Sequence, residues 1–282
     1  RLGDFSGAAY AFNRAVEASP RDTRSYNSLL AAQLKEGTFH LARNDAKKTA
    51  SQYPADFVLQ ALLALEQNQP GDFAVAVNKG SGEKFFTVQE VACFFADLGL
   101  YAEAAELLDS ALVEMGDDLM THCYAAWCRS KMDNRDAALE HLKQAAAMPS
   151  DYVMPGRPEA IAVFEYALTL KPNAALFHLL YGHVLAALER TEEAVDQWNK
   201  AVELDASISV GWRLLAMHEW KVKENVEAAL PLLDKAIAAR TDDQILYRDK
   251  AALLEKTGNR PDGIALIETM PHTGNIRYDI YL

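Results

Sequence analysis

The sequence predicts an all-α chain folded as a solenoid of helix-turn-helix repeats, and three observations point there. The first is a 34-residue stretch, Ala175 to Ile208, that reads as two amphipathic helices joined by a tight turn. In it Gly182 and Ala194 are small enough for two helices to approach, while Tyr181, Leu185 and Trp198 supply the bulk beside them. The second is a recurrence. A small residue opens the second helix of each unit at Ala8, Ala42, Ala76, Ala104, Ala138, Ala160, Ala194, Ala229 and Gly263, with spacings of 34, 34, 28, 34, 22, 34, 35 and 34. The third is composition: half of the 282 residues are hydrophobic, enough to bury a sizeable core.

Taken in order, the first helix is expected over residues 6–18, stopped by Pro20. The next pair spans 23–36 and 39–51, with its turn at Gly37 and its close at Tyr53-Pro54. A third pair starts at 56–68 and turns at Pro70-Gly71-Asp72. Its second helix is truncated by Gly80-Ser81-Gly82, which accounts for the spacing of 28. Pairs follow over 85–115 and, more loosely, over 119–148. The run Pro149-Ser-Asp-Tyr-Val-Met-Pro-Gly-Arg-Pro158 cannot be a continuous helix, because its prolines remove donors and restrict the residues before them. The next helix, 159–170, has second-helix character, so one first helix is missing. Ten extended residues reach at most about 33 Å, more than the roughly 18 Å of a 12-residue helix. An extended strap at 149–158 is therefore expected to fill the missing helix's slot, burying some of Tyr152, Val153 and Met154. Three pairs complete the chain: 175–206, 209–240 and 244–270, the last turning at Gly258-Asn259-Arg260-Pro261. Residues 272–282 read as the start of another helix. The expected organisation is an N-terminal array over 1–148, a connector over 149–158 and a C-terminal array over 159–282, both outer ends looking cut from a longer array.

Tyr181, Gly182, Ala194, Trp198 and Ala201 fall where the tetratricopeptide repeat alternates bulk and gap, and the 34-residue unit resembles that family. The resemblance implies a right-handed superhelix of about sixteen helices whose first helices line a concave groove. The strap also resembles a junction in the repeat portions of some large bacterial proteins whose other part is a β-rich, carbohydrate-enzyme-like domain. That likeness implies the repeat portion of a larger bacterial multidomain protein.

The formal charge of −12 disfavours nucleic acid and anionic membrane surfaces as partners. No apolar run is long enough to span a bilayer and no signal-peptide core opens the chain, so the expected location is cytoplasmic, although Arg1 does not look like a natural start. Cys93, Cys123 and Cys128 lie in helical patterns without C-x-x-C spacing and read as buried reduced thiols. His178 and His183 are five apart, on different helix faces, so they do not form a metal pair. With no catalytic motif, the chain reads as a non-enzyme without cofactor or metal.

What remains is surface. The family resemblance places the second, fifth, ninth and twelfth residues of each unit in the groove. Among these Arg213, Arg248, Trp220, Met217, His183 and Trp127 are the candidate binding residues. Arg213 and Arg248 share one position in adjacent units and could fork onto a carboxylate. The competing reading is that each pairs with a neighbouring Asp or Glu. The expected function is a non-catalytic protein-protein interaction scaffold holding a peptide or partner helix. The alternative is a structural or assembly module that positions a neighbouring, carbohydrate-active domain or self-associates through its truncated ends.

Overall fold

The computed structural model describes residues 3–149 and 153–271. Among the described residues every regular element is helical: sixteen α-helices and one short 3-10 turn. The chain divides into two compact units, Arg1–Asp151 and Tyr152–Leu282.

The N-terminal unit contains α1 (Phe5–Ala18), α2 (Thr23–Glu36), α3 (Arg43–Gln52), α4 (Phe57–Glu66), α5 (Pro70–Gly80), α6 (Lys84–Asp97), α7 (Tyr101–Met115), α8 (Leu119–Ser130) and α9 (Arg135–Ala146). The first helices α2, α4, α6 and α8 pack in sequence, and α5 and α7 pack beside them as second helices. The second unit contains α10 (Ala160–Leu170), α11 (Ala175–Ala187), α12 (Thr191–Leu204), α13 (Ser209–Lys221), α14 (Val226–Ala239), α15 (Gln244–Lys256) and α16 (Arg260–Glu268), each packed on the next. Each unit is thus a stack of helical repeats.

The alternation of bulk and gap has a direct structural cause. A Cβ added at Gly182 would meet Trp198 Nε1 at 2.3 Å and the Ala194 carbonyl oxygen at 3.1 Å, so α11 and α12 close only because that position is glycine. Ala104, Ala138, Ala160, Ala194 and Ala229 are fully buried, as the repeat pattern requires. Three positions of that series, Ala8, Ala42 and Ala76, are only half-buried, and the last two need correction. Ala42 is half-buried, and its place is taken by the fully buried Ala46, because a 3-10 turn over Phe39–Leu41 delays α3. Ala76 is likewise half-buried, while Phe73 and Ala74 are completely enclosed. The expected turn at Pro70 is displaced for a related reason: Pro70 sits in the first turn of α5, where its missing N–H is no loss. The turn itself lies just before, at Asn68.

The turns from the first to the second helix of a repeat share one conformation. Gly37, Asn68, Gly99, Asp133, Glu189, Glu224 and Gly258 all have φ between +55° and +79°. At Glu189 the geometry is a Schellman motif: Arg190 N–H donates to the Leu185 carbonyl at 2.9 Å, and Glu189 N–H donates to the Ala186 carbonyl at 3.1 Å.

Of the expected strap, residues 153–158 are non-helical and Gly156 approaches the Ala187 side chain at the end of α11. Met154 is 76% exposed, which corrects the expectation that it is buried there; Val153 is half-buried. Tyr152 and the C-terminal stretch 272–282 lie outside the described residues.

Candidate functional site

The fifth position of the repeat was expected to face a ligand, and in three repeats it instead joins its repeat to the next. Asn27 Nδ2 on α2 donates to both carboxylate oxygens of Asp56 at 3.1 Å. Asp56 also accepts the Leu59 N–H at 3.0 Å and so caps α4. Gln89 Nε2 on α6 donates to Asp118 Oδ2 at 3.1 Å, and Asp118 caps α8 through the Thr121 N–H at 2.8 Å. In the second unit Arg213 Nε on α13 donates to Asp249 Oδ2 on α15 at 2.7 Å, with the two side chains 34% and 20% exposed. Arg213 therefore stands in the pairing foreseen as the competing reading, and its remaining guanidinium edge is what a ligand could use.

Arg248, one repeat later, is exposed and lines an open depression of about 530 Å³ between α15 and α16, together with Ala252, Glu255, Arg260, Ile264 and Glu268. Beside it the face of α13 and α15 mixes apolar and cationic groups. Val210 and Ile245, at the second position of adjacent repeats, are 36% and 37% exposed. Met217 and Trp220 are half-buried, resting on a core of Ala216, Ala229, Leu233 and Leu253. The Trp220 ring has the Lys221 ammonium at 5.3 Å and the Lys256 ammonium at 5.2 Å from its centroid. These cations converge on a protein that is acidic overall.

The other two candidates belong to packing. His183 is 8% exposed, with Nδ1 2.8 Å from the Leu179 carbonyl and its ring edge-on to Trp198 at 6.3 Å. Burial holds its pKa below the ordinary histidine value. The expected groove place of His183 is corrected accordingly: the ninth position of this repeat turns toward α12. Trp127 is half-buried and meets Tyr101 of α7 edge-on at 5.8 Å, with Lys131 over its ring at 5.8 Å. Only its outer rim remains as surface.

Sequence reasoning missed a polar cluster in the N-terminal unit. His122 on α8 and His141 on α9 bring their Nδ1 atoms to 2.9 Å, with Asp117, Asp109 and Arg129 around them. Nineteen residues separate the two histidines, so no local spacing announces the pair.

The three cysteines are buried and unbridged. Burial pushes the Cys128 thiol up to about 12 and Cys123 higher still, which removes both as nucleophiles at neutral pH. Among the described residues no group of three or more His, Cys, Asp and Glu could hold a metal ion. Among the same residues no helix is long and apolar enough to cross a membrane.

Comparison with known proteins matches residues 156–207 to the tetratricopeptide repeat family. A comparison with curated protein sequences gives no match. Among solved structures, the chain is similar to MamA 41-end from Desulfovibrio magneticus RS-1, with 14% identity, 67% of this chain and 94% of that chain covered, and a TM-score of 0.37. It is also similar to Pseudomonas aeruginosa pilF, with 18% identity, 71% and 82% covered, and a TM-score of 0.37.

Proposed function

We propose that the chain, a tetratricopeptide-repeat protein, is a non-catalytic interaction scaffold that holds a peptide or partner helix on the α13–α15 face of its C-terminal unit. The observation that supports this reading is the juxtaposition on that face of exposed Val210 and Ile245, half-buried Met217 and Trp220, and the cations of Lys221, Lys256 and Arg248. Aromatic and arginine anchors resting on a packed core are the usual centres of binding energy. A helical stack offers them pre-ordered, which lowers the entropic cost of capturing a flexible segment.

The chemistry of the face defines its partner: a segment with an apolar side chain next to an acidic side chain or a C-terminal carboxylate. Arg248 supplies the forked donor. Arg213, whose Nε donates to Asp249, holds α13 against α15 and fixes the spacing of the anchors. The negative charge of the whole chain weakens long-range steering toward an acidic partner, so affinity rests on short-range contacts.

A peptide-library screen tests this reading with wild type, Arg248→Ala and Trp220→Ala. The expected result is a wild-type pool enriched in acidic residues beside apolar ones, with each variant losing affinity by about tenfold or more, equivalent to roughly 1.4 kcal/mol. Equal binding by all three proteins, or a pool without acidic enrichment, would contradict it.

A further inference from the structure

The His122–His141 pair has no part in the face just described, and its geometry has a chemical consequence of its own. His122 is 2% exposed and sits at the centre of a chain of contacts joining α7, α8 and α9. On one side its Nε2 lies 3.2 Å from Asp117 Oδ1, so that nitrogen carries the hydrogen and donates it to the carboxylate. In the neutral ring Nδ1 then has a lone pair and can only accept. The group facing it at 2.9 Å is His141 Nδ1, which must be the donor. The contact therefore assigns opposite tautomers to the two rings: Nε2–H on His122 and Nδ1–H on His141.

An added proton has two places to go. At His122 Nδ1 it sets one N–H against another across the 2.9 Å contact and breaks the link between α8 and α9. At His141 Nε2 it leaves the Nδ1–H bond to His122 in place but puts a charge in a buried site beside Arg129, with Asp109 Oδ1 3.5 Å away, and that charge is relieved only when α9 moves. Asp109 offers limited compensation, because its other oxygen is held by the Arg129 guanidinium. Glu140, next to His141 on α9, adds an attraction too weak to offset burial and Arg129. His141 accordingly stays neutral well below the ordinary histidine range, with a pKa lowered to about 4, first by burial and then by Arg129.

We propose that the His122–His141 pair is an acid-sensitive clasp in the N-terminal unit, closed while both rings are neutral and opened by protonation, which frees α9 from α8. On α8 Met120 and Cys123 are buried and Trp127 is half-buried, so opening would bring new apolar surface to the unit. The charges surrounding the clasp are Asp109 from α7, Asp117 from the α7–α8 turn, Arg129 from α8 and Glu140 from α9.

The test combines histidine nitrogen NMR with amide hydrogen exchange on the full chain between pH 7.5 and 5. The spectrum at pH 7.5 should show the Nε2–H tautomer for one ring of the pair and Nδ1–H for the other. Exchange corrected for its intrinsic pH dependence should show protection in α8 and α9 falling by roughly tenfold or more as the pH drops to 5, the direction that linkage requires for a depressed pKa. His141→Asn keeps an N–H donor toward His122 and leaves one titrating ring in place of two, so its α8 and α9 protection should fall clearly less than the wild type's. Two rings of the same tautomer, or unchanged wild-type protection, would overturn the proposal. Parallel loss in wild type and His141→Asn would do the same. The wild-type spectrum decides the tautomers even should the variant fail to fold.

Discussion

Gly182 shows how one side chain can set the distance between helices. A methyl group there would have to displace the Trp198 ring, itself 6% exposed, or push α11 from α12 at the Ala194 carbonyl. Gly182→Ala should therefore destabilise the protein by about 1–3 kcal/mol, the usual range for overpacking, despite the better helix propensity of alanine. Urea unfolding measures it, and a neutral or stabilising result would show that α11 and α12 have slack. This residue was legible in the sequence because the repeat forces a gap at that position. His183, its neighbour, was not: burial against Trp198 depends on how far α11 is rotated, and helical periodicity fixes that only to within a neighbouring residue. The pairs Asn27–Asp56, Gln89–Asp118 and Arg213–Asp249 lie 29, 29 and 36 residues apart, so they become visible only once the repeats are stacked.

Two devices hold the elements in place. Asp118 both caps α8 and receives Gln89 from α6, so it joins local helix formation to repeat stacking. Asp118→Ala should cost about 1–3 kcal/mol, combining a lost cap with a buried Gln89 amide that keeps only Thr121 Oγ1 as acceptor. Asp118→Asn retains an accepting oxygen and should cost clearly less; equal losses for the two would assign the effect to charge instead. The second device is the left-handed residue at the turn inside a repeat, glycine in some repeats and Asn, Asp or Glu in others. Glu189 has φ of +62° and is exposed, a conformation that costs a residue with a Cβ about 1–2 kcal/mol. Glu189→Gly should raise stability by about 0.5–1 kcal/mol after the greater freedom of the unfolded glycine is subtracted. A lower melting temperature would mean that the Glu189 side chain makes a stabilising contact. Helix boundaries followed the sequence closely where a cap or glycine marked them. They departed where a 3-10 turn delayed α3, since apolar spacing alone does not distinguish that turn from the first turn of a helix.

For the whole molecule, two depressed histidines set the direction of the pH response. His141 in the N-terminal unit has a pKa lowered to about 4, and His183 in the C-terminal unit is lowered by burial. A folded pKa below the unfolded value of about 6.5 means that the folded state prefers the neutral ring. Their contribution is fully present above that value and is lost progressively as the pH falls toward and through the folded one. Between pH 7 and pH 5 the loss from His141 alone should reach up to about 2 kcal/mol, since each tenfold difference in proton affinity between the folded and unfolded chain is worth about 1.4 kcal/mol. Denaturant midpoints across that interval check it; a midpoint that rises on acidification would reverse the sign of the argument.

The claim that the α13–α15 face takes a peptide is tested most directly by mapping where one binds. Amide hydrogen exchange on the full chain, with and without the best peptide from the library, reports contact helix by helix. The account predicts added protection concentrated in α13 and α15, diminished when Arg248→Ala or Trp220→Ala is used. Protection confined to the N-terminal unit, or spread evenly over both units and unchanged by these substitutions, would contradict it.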